Sequence, residues 1–61
     1  MEESFGVKVK RQRLNQRMSL QDLALLSGIS LIRIHHIETQ GNVTDKEKEK
    51  LRKVLDAHEL Q

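Results

Sequence analysis

The sequence predicts an all-α fold, four short helices in a single domain over residues 1–61. Three observations carry that prediction. Proline is absent and Phe5 is the sole aromatic, which disfavours a sandwich or barrel of strands rich in aromatic residues. Apolar residues recur three and four positions apart, the spacing that lines one face of a helix. Each such run is preceded by a hydroxyl residue, at Ser4, Ser19, Ser30 and Thr44, suited to cap a helix N-terminus.

The first helix is expected over about 4–16. Ser4 caps it, and Phe5 and Val9, four apart, face inward, with Arg13 next in the same row. The second is expected over about 19–27. Ser19 followed by Asp22 forms a capping box, with Asp in place of the usual Glu. Leu20, Leu23, Ala24 and Ser27 share one face. Leu26, beside it, is expected to pack as ordinary core, whereas Leu25 points away. Gly28 ends the helix, free to take a positive φ.

The third helix is expected over about 30–38, with Ile29 as an apolar anchor in the turn and Ser30 as cap. Ile34 and Ile37 share its inner face, Ile32 and His36 the opposite one, and Leu31 and His35 lie between. Gln40, Gly41 and Asn42 are assigned to the exit loop. The fourth helix is expected over about 44–58, opened by a Thr44–Glu47 capping box. Its apolar row is Leu51, Val54 and Leu55, with Ala57 and His58 near the end. Val43 is placed to act as a hydrophobic staple against the alkyl stem of Lys48. The second and third helices, joined by the tight turn at Gly28, have a helix-turn-helix layout.

Composition narrows the function classes. The net charge is only +2, yet between Ser4 and Gln21 the charges are Lys8, Lys10, Arg11, Arg13 and Arg17, with no acid. A one-sided basic patch suits a polyanionic partner. The second half mixes signs, and its KEKEK run at 46–50 reads as an exposed helix turn. Without cysteine there is no disulfide and no thiolate metal site, which fits a cytoplasmic chain. No apolar run approaches the roughly 20 residues of a membrane span, and Met1-Glu2-Glu3 is acidic where a secretory signal would be basic. No nucleophile–base–acid set and no Gly-rich phosphate loop appears, so an enzyme is not expected. His35 and His36, adjacent on a helix, diverge by about 100° and His58 is distant, so neither a metal nor a cofactor is expected.

The stretch MSLQDLALLSGISLIRIHHIE resembles the helix-turn-helix of the lambda-repressor and Cro-like family, also called the XRE family. The matching residues are Ser19, Leu23-Ala24, Gly28-Ile29-Ser30, Ile34 and Ile37-Glu38. The first helix is similar to the family pattern apolar-Gly-x-x-apolar-x-x-x-Arg, its places filled by Phe5, Gly6, Val9 and Arg13. The resemblance covers residues 5–55 and implies a compact lambda-repressor-like domain, which in this family has four to five helices. It also implies a structural ion pair between Arg13 and Glu38.

A small bacterial or phage transcription regulator, binding double-stranded DNA in a sequence-specific way, is what the resemblance implies. The third helix would lie in the major groove and the second cross the backbone. Leu31, Ile32, Arg33, His35 and His36 then occupy the base-reading region. Phosphates would meet Lys8, Lys10, Arg11 and Arg17, the free N–H groups at Leu20 and Gln21, and Gln40 and Asn42 in the exit loop. The chain departs from the family where Leu31 and Ile32 replace polar readers and where Leu25 and Leu26 replace polar or charged residues. Those four apolar side chains support an alternative, a protein-binding antirepressor or modulator that docks on a homodimer mate or another protein through them. With room for four helices and no separate dimerisation domain, a lone copy is expected to bind a half-site weakly.

Overall fold

Ser4, Ser19, Ser30 and Thr44 each cap a helix in the computed structural model, which describes residues 3–59 and their side chains through Ala57. The terminal residues Met1 and Glu2 and the His58 side chain lie outside that description. The helices are α1 (Phe5–Asn15), α2 (Leu20–Ser27), α3 (Leu31–Gln40) and α4 (Asp45–Glu59), with no strand among the described residues. Ser4 Oγ accepts from the Val7 N–H and Ser30 Oγ from the Arg33 N–H, both at 3.2 Å. Two full capping boxes form. At Ser19–Asp22 both bonds are 3.0 Å, and at Thr44–Glu47 they are 3.0 and 3.2 Å. Each box satisfies two backbone donors that a bare helix start would leave orphaned.

The helix ends follow from where the chain can turn left-handed. Gly28 (φ 75°) ends α2 and donates to the Ala24 carbonyl. Gly41 (φ 80°) ends α3 and donates to the Ile37 carbonyl. The third helix therefore runs two residues past the expected 38, which moves Gln40 out of the exit loop and into the helix. Thr39, no helix breaker here, turns its hydroxyl back to the His35 carbonyl at 2.8 Å, and Gly41 is the first residue free to stop the helix. At the end of α1 the left-handed place falls to Arg17 (φ 58°). Its N–H donates to the Leu14 carbonyl at 3.0 Å and the Met18 N–H donates to that of Arg13 at 2.9 Å, the paired bonds of a Schellman ending.

The core is Val9, Met18, Leu23, Ile29, Ile34, Ile37, Leu51 and Leu55, with Phe5, Leu20, Ala24, Val43 and Val54 packed around it. α3 lies against α1 and α2, and α4 closes over α1 and α2. Gly6 permits the α1–α3 contact, because a Cβ there would collide with the Ile37 carbonyl oxygen. Under the same contact Arg13 and Glu38 form a buried two-point pair, Nε to Oε2 at 2.8 Å and Nη2 to Oε1 at 3.2 Å. Nη1 of Arg13 also donates to the Met18 carbonyl at 2.9 Å, so one guanidinium ties α1, the α1–α2 turn and α3 together.

One expectation about packing needs correction. Leu26, expected in the core, is 50% exposed, because the face that α2 buries centres on Leu23 and Ser27. Lys48 places its ammonium 5.4 Å from the centre of the Phe5 ring, with the Arg52 guanidinium 5.9 Å from it. Two cations thus cover the one aromatic, whose electron-rich face attracts them. Among the described residues no helix is long and apolar enough to cross a membrane.

Candidate nucleic-acid interface

The inner side of α3 is fixed by Ile34, Ile37 and Glu38, all buried. Its other side is then open, and the exposed residues are Leu31, Ile32, His35, His36, Thr39 and Gln40. At about 100° per residue Ile32, His36 and Thr39 form the crown of that face, with Leu31 and His35 on one flank. The His35 and His36 rings stand 6.3 Å apart and tilted by 46°, the divergence that successive helical positions impose. Thr39 shares this stripe but was not among the sequence candidates. Its hydroxyl donates to the His35 carbonyl.

Arg33, the remaining base-reading candidate, is tied to α4. Its Nε and Nη2 donate to the two Glu47 carboxylate oxygens at 2.7 and 2.8 Å, and Nη2 also donates to the Asn42 carbonyl at 3.1 Å. The hydrogen bonds from Arg33, and then from the Thr44 backbone, hold the Glu47 carboxyl down at about 2, and Glu47 in turn raises Arg33. The cause is position. Arg33 lies on the α4 flank of α3, so its side chain bridges to the start of α4 rather than projecting with Ile32. Glu47 was legible as a capping residue, but nothing local in the sequence marks it as the partner of an arginine fourteen residues earlier.

The phosphate candidates divide. Lys8, Lys10, Arg11, Arg17, Gln21, Gln40 and Asn42 are exposed, and Leu20 is half-buried. Lys8, Lys10 and Arg17 enter no ion pair among the described residues, whereas Arg11 pairs with Glu3. The basic residues of α1 do not line one stripe. Lys8 and Lys10 are separated by about 200° around the axis, on opposite flanks of the buried row. At the start of α2 the Ser19 hydroxyl takes the Asp22 N–H, which leaves the Leu20 and Gln21 N–H groups pointing outward. The Asp22 carboxylate, held on the Ser19 N–H at 3.0 Å, stands beside them and weakens the pull of that helix end on an anion.

All four apolar candidates are exposed. Leu25, 77% exposed, and Leu26 border a shallow cavity of about 350 Å³ completed by Gln16, Met18 and Asp22. Leu31 and Ile32, 42% and 67% exposed, take no part in it and stand on the first turn of α3. Gln16, unremarked in the sequence, donates from Nε2 to the Leu55 carbonyl at 3.0 Å, while its Oε1 is buried without a partner. No family model, no characterised protein and no solved structure matches this chain.

Proposed function

We propose that this chain is a sequence-specific double-stranded DNA-binding protein, a small transcription regulator that offers α3 to the major groove. The observation that carries the reading is the two-sided character of α3. Ile34, Ile37 and Glu38 clamp it to the core, and a short turn from α2 leaves Leu31, Ile32, His35, His36 and Thr39 on an open outer face. The resemblance of residues 5–55 to the lambda-repressor-like pattern supports the same reading, as do the cations Lys8, Lys10 and Arg17, which enter no ion pair among the described residues. In this reading α2 is the helix-turn-helix partner that crosses the backbone, with the Leu20 and Gln21 N–H groups toward a phosphate. The protein acts by binding, not catalysis, in the cytoplasm of a bacterium or a phage host.

The test is selection from a randomised duplex pool with the native chain and with Ile32→Lys. Under the proposal the native chain recovers a preferred half-site, and the variant recovers a different one because its new ammonium donates to guanine or phosphate oxygens. Equal recovery of all sequences by the native chain counts against it.

A second reading rests on a separate observation. Leu25, Leu26 and the cavity beside Met18 are an apolar surface that the DNA reading leaves unused. Docking of a protein there would make the chain a modulator. It predicts that Leu25→Lys abolishes a protein complex while duplex binding persists.

A further inference from the structure

The structure gives the outer face of α3 an unusual chemistry. Its first turn presents Leu31 and Ile32, which neither donate nor accept hydrogen bonds. Arg33 is the helix's only lysine or arginine, and its Nε and Nη2 donate to Glu47 and the Asn42 carbonyl, which leaves only Nη1 outside these bonds. The bidentate arginine contact that most often identifies guanine is therefore withdrawn from this face. What remains at the leading end is a pair of branched aliphatic tips, with imidazoles behind them.

From this we infer that the target is recognised through pyrimidine C5-methyl groups in the major groove, with Leu31 and Ile32 as the specificity-determining residues. The inference rests on the DNA-binding reading above and deepens it. The C5-methyl is the one apolar group that a base pair exposes in that groove, so it is what an aliphatic tip can recognise. Charge favours a nucleic-acid occupant over an apolar protein surface, because Lys8, Lys10 and Arg17 enter no ion pair among the described residues and no acid falls between Ser4 and Gln21. A methyl group in this position comes from thymine or from 5-methylcytosine. The shared chemistry is the C5-methyl, and the sources are separated experimentally.

The test compares affinities of the full chain for alternating d(A-T) and d(A-U) duplexes of equal length, identical except for the methyl. A second arm compares alternating d(G-C) with its 5-methylcytosine counterpart. Burying one methyl is worth about fourfold in affinity, so two contacts predict roughly a fifteenfold preference for d(A-T) over d(A-U). Leu31→Ser/Ile32→Ser should reduce that ratio to near one by weakening d(A-T) binding toward the d(A-U) level, and the salt slope, set by the phosphate-facing cations, should not change. Both positions are exposed, so the variant keeps its core, and circular dichroism melting checks this. A gain on cytosine methylation as large as the thymine effect assigns recognition to the methyl alone, and a gain confined to thymine assigns it to the methyl in an A·T pair. Duplex binding with equal affinity for d(A-T) and d(A-U) overturns the inference and leaves the DNA-binding reading standing. So does a thymine preference that survives the double variant. Absence of binding to every duplex overturns the reading itself, and the inference with it.

Discussion

The single residue on which most depends is Arg13. Its guanidinium meets both Glu38 oxygens and the Met18 carbonyl in a site where the side chains are 9% and 3% exposed. Arg13→Met leaves the Glu38 carboxylate buried without a counter-charge, expected to cost about 3–5 kcal/mol. A domain this small has a total stability of only a few kcal/mol, so the variant should be largely unfolded in a urea titration. Arg13→Met/Glu38→Leu should recover most of the loss, because no unpaired charge remains. Glu47 supplies a pH test. Its folded pKa of about 2 lies below the ordinary 4.5, so the folded state binds fewer protons across that window. Its contribution is complete above about pH 4.5 and is lost as pH falls toward 2. Glu47→Gln keeps the capping-box geometry but removes the titration. Its melting temperature should therefore fall less between those two pH values than that of the native chain. At Arg17 the left-handed backbone favours glycine, so Arg17→Gly should raise stability by about 0.5–1 kcal/mol while removing one exposed cation, which weakens duplex binding under the proposed function. A melting scan and a duplex titration would show the two effects with opposite sign.

At the scale of the helices, the clearest constraint is the close crossing of α1 and α3 at Gly6. Gly6→Ala sets a methyl against the Ile37 carbonyl and must push the helices apart. The expected loss is about 1–3 kcal/mol, read from the urea midpoint with the slope unchanged. How legible each helix was in the sequence depends on the reach of the bonds that define it. All four starts were legible, because Ser4, Ser19, Ser30 and Thr44 cap through bonds only three residues long. The inner rows Leu23, Ile34–Ile37 and Leu51–Leu55 were legible from spacing. The end of α3 was misplaced because Thr39 and Gln40 have no strong local preference and Gly41 decides. Leu26 was misassigned because its row lies at the margin of a narrow buried face, where burial depends on the neighbouring helix. The Arg13–Glu38 pair spans twenty-five residues and was reached only through the family resemblance.

For the whole molecule, the account joins a basic leading segment to an open α3 face. The charge sum was legible in the sequence, but its arrangement was not. Lys8 and Lys10 sit on opposite flanks of α1, Arg11 meets Glu3, and Arg33 is committed to Glu47. Of the four exposed apolar residues, Leu25 and Leu26 rim a cavity with Gln16, Met18 and Asp22, a grouping set by tertiary placement that helical periodicity alone does not encode. The central claim is that the chain binds double-stranded DNA, and the most direct test is equilibrium binding of the native chain to duplex over a salt series. With about three cations meeting phosphates, the logarithm of the affinity should fall linearly with the logarithm of salt, with a slope of roughly −3. No binding to any duplex at low salt, together with a self- or partner complex that Ile32→Lys disrupts, would contradict it.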